Sequence, residues 1–219
     1  MGDRQHAGSQ HLSVAAERLE GLLVDFGGVL TTNVFDSFRS FCEAEGIDPD
    51  TVKRLFREDP RALAELRRLE VGELNEEQFA ERFGPLLGIE ETAGLVDRLF
   101  AGLQPDQAML AAVERARASG VRTGLVSNSW GAGRYDRDAL PRLFDGVVIS
   151  GEVGLHKPQP EIFELGAKLI GLDPSECVFV DDLGFNLKPA EELGMATVLH
   201  TDAAQTAAEL EKLLGVALT

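Results

Sequence analysis

Cysteine is scarce in this sequence: only Cys42 and Cys177 occur in 219 residues. Their separation fits no metal-ligand spacing, and a disulfide scaffold needs more of them. Both read as reduced core thiols. Long apolar runs are missing too. No stretch approaches the ~20 residues that cross a bilayer, which argues against a membrane protein. The first 18 residues are polar and carry no signal-peptide core, so they read as a loose tail and the protein as cytoplasmic. Positive charge is also in short supply. Lys and Arg number 21 against 37 Asp and Glu, for a formal net charge of -16. Phosphate backbones and anionic lipids attract basic surfaces, so nucleic acid and membranes are poor partners for this chain. A small phosphorylated substrate stays compatible, because one metal ion and one lysine suffice to make a pocket positive inside an acidic protein.

Apolar residues are plentiful, at 44% of the chain. The length accommodates one α/β domain with a smaller inserted one. Short apolar runs bounded by turn residues read as buried strands: Gly21 to Asp25, Arg122 to Ser127, Gly146 to Ser150, Cys177 to Asp181 and Ala196 to His200. Helical patterns separate the later runs, at Leu110 to Ala118, Pro160 to Ile170, Lys188 to Leu193 and Ala203 to Leu214. This alternation predicts a parallel sheet with helices on both faces. Between the first two strands the spacing is helical throughout. Val34, Phe35, Phe38, Phe41 and Cys42 form one stripe, Asp48-Pro49 opens another helix, and Asn75 with Gln78 resembles a capping box. That segment is too long for a simple connection. The expected division is a core of residues 19–33 and 104–219 and a helical cap of residues 34–103 inserted after the first strand.

Four places carry chemistry, each at or just beyond a strand end. Asp25, in VDFGGVLTT, is a carboxylate ending a buried strand, where open α/β sheets bind ligands. Ser127 and Asn128, in GLVSNSW, offer hydrogen-bond donors to a phosphoryl oxygen. Lys157, in GLHKPQPEIF, can project its ammonium into the same crevice. Asp181 and Asp182, in CVFVDDLGFNLKPAEELGM, are adjacent carboxylates whose repulsion calls for a cation, and hard oxygen ligands suit Mg²⁺. Taken singly, each has an ordinary explanation: a turn-capping Asp, a Ser-Asn turn, a solvated lysine, a helix-capping pair.

In this order the four resemble the motifs of the haloacid-dehalogenase superfamily. The likeness runs over about residues 21 to 215 and is closest in SNSW, GEVGLHKPQPEIF and VFVDDLGFNLKPAEELGMATVL, which resemble the phosphatase domain at the N-terminus of soluble epoxide hydrolases. The resemblance implies a Rossmann-like sheet ordered 5-4-1-2-3. It implies that Asp25 attacks phosphorus and becomes an aspartyl phosphate, and that Asp25, the Gly27 carbonyl and Asp182 hold Mg²⁺. By the same likeness Ser127 and Asn128 hold phosphoryl oxygens, Lys157 balances charge, and Asp181 orients the metal shell. The run EVGELNEEQF, from Glu70 to Phe79, is similar to a segment common in caps of the family.

One position departs from the pattern. Most phosphatases of the family carry a second aspartate two residues after the nucleophile, and this chain has Gly27 there. That carboxylate protonates the leaving group, and positioned acids and bases contribute about 10²–10⁴-fold. A Mg²⁺-dependent phosphatase slowed at alkyl phosphates is therefore the expected function. The alternatives are a catalytically weak module that binds a phosphorylated ligand or a protein, and a metal-free 2-haloacid dehalogenase, against which the acidic pair argues. Arg61, Arg67 and Arg68 are expected on a solvated helix face, and Trp130 in either packing or the pocket wall.

Overall fold

A computed structural model describes residues 18–219. Apart from Arg18, the tail expected at the N-terminus lies outside the described residues. The chain starts with β1 (Gly21–Val24), four residues that are all buried. Five helices follow: α1 (Val34–Ala44), α2 (Thr51–Glu58), α3 (Pro60–Glu70), α4 (Glu76–Leu87) and α5 (Leu95–Phe100). Next come α6 (Gln107–Ala118), β2 (Arg122–Ser127), α7 (Leu140–Leu143), β3 (Gly146–Ile149) and α8 (Ser150–Val153). The last part holds α9 (Pro160–Leu169), β4 (Cys177–Asp181), α10 (Gly184–Glu192), β5 (Ala196–Leu199) and α11 (Ala203–Leu214).

The strands form one five-stranded parallel sheet in the order β3-β2-β1-β4-β5. β1 is central because it is apolar on both faces, as a strand covered by helices on each side must be. Its register sets Val24 beside Leu125 and Val180, so Asp25 lies level with Asp181 at the end of β4, and β2 runs one residue further to Ser127. Two apolar clusters cover the sheet. One unites Leu22, Val24 and Leu125 with Met109 and Leu210 of α6 and α11. The other joins Leu23, Val126 and Phe179 to Ile162 and Phe163 of α9. Gly166 lets α9 lie close on β2, since a Cβ there would sit 2.6 Å from Val126 Cγ2.

Helices α1 to α5 have a core of their own, built on Phe38, Phe41, Phe79, Phe83 and Leu99. Phe79 and Phe83 are fully buried, and such burial stabilises by about 1.5–3 kcal/mol per side chain. The capping box read at Asn75 and Gln78 opens α4, with both reciprocal bonds formed. The opening read at Asp48-Pro49 falls slightly late: α2 starts at Thr51, while Asp48 accepts from the Asp50 N–H in the turn before it. The chain passes into this layer and out of it at adjacent points, where Thr31 bridges Pro105 and the Asp106 N–H donates to the Leu30 carbonyl at 2.9 Å. Among the described residues no helix is long and apolar enough to cross a membrane.

Candidate active site

Asp25, Asp181 and Asp182 each place a carboxylate oxygen within 4.8 Å of the others. β1 delivers Asp25 and β4 delivers the pair, and the parallel register makes their ends coincide. The Asp25 Oδ1 accepts from the Phe26 N–H at 2.7 Å. Lys157, on the loop before α9, reaches both strands: its Nζ lies 2.7 Å from Asp25 Oδ1 and 2.7 Å from Asp181 Oδ2. Burial alone would lower the lysine pKa, but the charges of Asp181 and Asp25 outweigh it and hold the ammonium above its usual value. The Asp25 carboxyl is raised, chiefly by burial, with Lys157 pulling it back and Asp181 adding to the rise.

The two adjacent aspartates have different surroundings. Asp181 is fully buried and satisfied by protein donors: Lys157 Nζ, the Leu183 N–H at 2.8 Å, and Asn186 Nδ2 at 3.1 Å from each carboxylate oxygen. Asp182 is partly exposed, lines the cavity and has no ion-pair partner among the described residues. Burial and the neighbouring Asp181 push its carboxyl up to about 6. Its Oδ2 would stand 2.4 Å from a Cβ at Gly28, whose φ is +80°. Only glycine suits that turn, and it opens the space the carboxylate occupies.

Three carboxylates and one ammonium leave about two negative charges unbalanced in this cluster. Groups this close cannot all stay ionised without a counter-charge, and a divalent cation supplies it. Asn186 Oδ1 is buried, lines the same cavity and finds no partner among the described residues, so it offers an acceptor to a hydrated ion. The residues present therefore fit Mg²⁺, with Asp25, Asp182 and the Gly27 carbonyl as the groups that would hold it.

Ser127 is buried, with its Oγ 2.9 Å from the Tyr135 hydroxyl. Asn128 does something the sequence did not suggest. Its Oδ1 accepts from the Lys157 N–H at 2.8 Å and its Nδ2 donates to the Lys157 carbonyl at 3.1 Å, so it clamps the backbone of the lysine. All the sequence-predicted site residues thus converge, Asp181 beneath the cavity floor and the others lining it.

The cavity above them has a volume of about 760 Å³. Its far wall belongs to the helical layer: Phe35, Phe38, Phe56, Phe100 and Leu66, with Trp130 from the core. Trp130 does both things weighed for it, since it lines the cavity and packs against Phe38, Phe56 and Phe100. Of the three arginines expected on a solvated face, Arg61 pairs with Asp59, and Arg68 with Glu65 and Glu73. Arg67 is exposed as expected, and it also lines the cavity. Sequence reasoning missed Tyr135, His156 and Glu70 as lining residues. The raised carboxyl of Glu70 is a signal visible only in the fold: burial lifts it to about 7, against the opposing pull of Asn128 and Lys157.

Residues 19–194 match the sequence pattern of the haloacid dehalogenase-like hydrolases. The chain belongs to that family. Among relatives of this hydrolase, bifunctional epoxide hydrolase 2 of Rattus norvegicus is 38% identical over 114 residues, 49% of this chain and 21% of that protein. D-ribitol-5-phosphate phosphatase of Bacteroides thetaiotaomicron is 28% identical over 208 residues, 90% of this chain and 98% of that one. A family enzyme of Bacteroides thetaiotaomicron, solved as a magnesium complex, superposes with a TM-score of 0.61 at 22% identity, covering 84% of this chain and 94% of that structure. The mammalian relatives are much longer, and this hydrolase spans 15% and 21% of the length of two of them.

Proposed function

We propose that this hydrolase is a Mg²⁺-dependent phosphatase acting through an aspartyl phosphate on small phosphate monoesters with an apolar or aromatic organic group. The observation that carries the reading is the acidic cluster with its single lysine at the sheet end. A 2-haloacid dehalogenase attacks through the same aspartate but has no use for two unbalanced negative charges beside it.

In this reading Asp25 attacks phosphorus and the bond to the leaving oxygen breaks; water then releases phosphate from the aspartyl ester. Bound Mg²⁺ would offset the charge of the phosphoryl oxygens and of the carboxylates facing them. Ser127 donates to a phosphoryl oxygen. Lys157, clamped by Asn128, holds the attacking Asp25 oxygen in place and limits the charge around it. Helices α1 to α5 serve as the cap, and their aromatic wall excludes water and receives the organic group. The phosphatase named among the relatives acts on a phosphorylated polyol, whereas the wall here is largely apolar, which favours a different organic group.

The test is turnover of p-nitrophenyl phosphate and naphthyl phosphate by the full chain with and without Mg²⁺. We expect Mg²⁺-dependent phosphate release that Asp25→Asn lowers by about 10⁴-fold or more, with circular dichroism unchanged. Halide release from 2-haloacids without metal, and no phosphate release, would reject the reading.

A further inference from the structure

The reaction needs a proton for the leaving oxygen, and Gly27 supplies none. Three of the residues lining the cavity carry carboxyl groups: Asp25, Asp182 and Glu70. The first two belong to the acidic cluster. Glu70 stands apart from it, at the last position of α3 on the cap side. In-line displacement sends the leaving group away from the attacking oxygen. With Asp25 at the strand ends, that direction is toward the cap wall, which includes Glu70.

We propose that Glu70 is the acid and base of this site: its carboxylic acid protonates the leaving oxygen as Asp25 attacks, and its carboxylate then takes a proton from the water that attacks the aspartyl phosphate. The proposal rests on the phosphatase reading above. In the first step an O–P bond forms at Asp25, the ester O–P bond breaks, and the Glu70 proton passes to the departing oxygen. In the second, water oxygen bonds to phosphorus, the bond to Asp25 breaks, and the water proton returns to Glu70, so the site ends as it began.

Glu70 is a cap residue that the core holds in place. Ser150, at the start of α8, donates from Oγ to the Glu70 carbonyl and accepts at the same Oγ from the Ser129 N–H, the latter at 2.7 Å. Two residues on, the Gly72 backbone lies so close to the core that a Cβ there would meet the Gly151 carbonyl oxygen at 2.6 Å. Glu70 is thus tied to the segment that follows β3 and, through Ser129, to the loop after β2 that carries Asn128. Its backbone is thereby anchored to segments that the sheet positions, and its side chain lines the cavity that Asp25 also lines, as a group acting at the reacting atoms requires. Burial keeps its proton near neutral pH, opposed by Asn128, Lys157 and Arg67 and reinforced by Asp25. That is the range in which a group can both give and take a proton.

Other groups are worse placed. Burial pushes the Tyr135 hydroxyl up to about 12, and it is engaged with Ser127. His156 spends its Nδ1 on the Lys157 carbonyl at 2.8 Å, leaving one ring nitrogen. His156 is therefore the rival that the experiment must separate.

The experiment compares p-nitrophenyl phosphate, whose leaving group needs no proton, with benzyl phosphate, whose alkoxide does. It uses the full chain with Mg²⁺ and the variants Glu70→Gln and His156→Asn. For Glu70→Gln we expect kcat/KM on benzyl phosphate to fall about 10²–10⁴-fold and on p-nitrophenyl phosphate by a far smaller factor. The high-pH limb of the benzyl profile should disappear, and kcat should fall for both substrates because they share the hydrolysis of the aspartyl phosphate. Gly27→Asp in the Glu70→Gln background should recover part of the benzyl rate. The backbone permits it: φ at Gly27 is not in the positive range, and a Cβ there meets only Val34 Cγ2, at 3.1 Å. A retained Mg²⁺-induced rise in Tm shows that a variant is folded. Equal losses of kcat/KM on both substrates, no loss on either, or the selective loss appearing in His156→Asn instead would each overturn the proposal while leaving the phosphatase reading intact. No turnover of p-nitrophenyl phosphate by the wild type would overturn both.

Discussion

The floor of the cavity and its roof are built differently. The floor is formed at strand ends. Its side chains are short and polar, and they bond to one another: Asp25 and Asp181 to Lys157, Asp181 to Asn186, Asn128 to the Lys157 backbone. The roof is formed by helix faces. Its rings touch one another, as in the edge-on packing of Phe38 and Phe100 at 5.5 Å, and such contacts are not directional bonds. Charge on the floor demands a partner, so in the proposed reading the floor would specify a metal and a phosphoryl group narrowly. Apolar contact is tolerant, so the roof would specify a class of organic group broadly.

Removing Lys157 should have the largest effect on the fold. Lys157→Ala leaves buried carboxylates without their cation, and breaking such a pair costs about 3–5 kcal/mol. Urea denaturation without metal should show the loss, and a variant as stable as the wild type would mean the floor is not held by this charge balance. Asp182→Ala should act on the metal instead. Wild-type protein at Mg²⁺ 100 times its Kd should gain about 2.7 kcal/mol, and the variant should gain almost nothing; Tm scans with and without Mg²⁺ measure the difference. The roof should respond more gently. Phe56→Ala removes part of the apolar wall, and KM for naphthyl phosphate should rise roughly tenfold, about 1.4 kcal/mol, while KM for phosphates with small organic groups moves little. Equal rises for both would dissolve the distinction between floor and roof.

The last effect concerns Glu70, which belongs to the roof but behaves like the floor. Burial raises its carboxyl from 4.5 to about 7, so the folded protein holds this proton more tightly than the unfolded chain. The stability this contributes is fully present below pH 4.5 and is lost as pH rises through about 7. In metal-free protein, the Tm of the wild type minus that of Glu70→Gln should therefore fall across that interval. A difference that is flat with pH would place Glu70 in water rather than in the cavity.

The floor was legible in the sequence because its aspartates and Ser127 end or directly follow apolar runs. Cys177–Asp181 is buried throughout, so its terminal carboxylate is conspicuous, and the alternation of strands with helices is enough to bring such ends to one edge. The roof was legible only as helices. The stripe of Phe35 and Phe38 looks the same in sequence whether a ring packs inward or faces a ligand. Arg67 and Arg68 are neighbours, and only coordinates separate the one that lines the cavity from the one paired to Glu65 and Glu73. The division of labour between Asp181 and Asp182 depends on where Asn186 and Gly28 lie, and sequence spacing carries no such information.

The adjacent crossings at Thr31 and Pro105 bear on how such a molecule can change. To the sheet, the whole helical layer between them is equivalent to a short loop, because its two ends are already held side by side. Layers of different length or composition can then occupy the same junction without moving Asp25 or the strands beside it. If the proposed function holds, substrate preference is open to variation by replacement of a module while the chemistry beneath stays unchanged, provided the incoming module again presents a group that carries a proton.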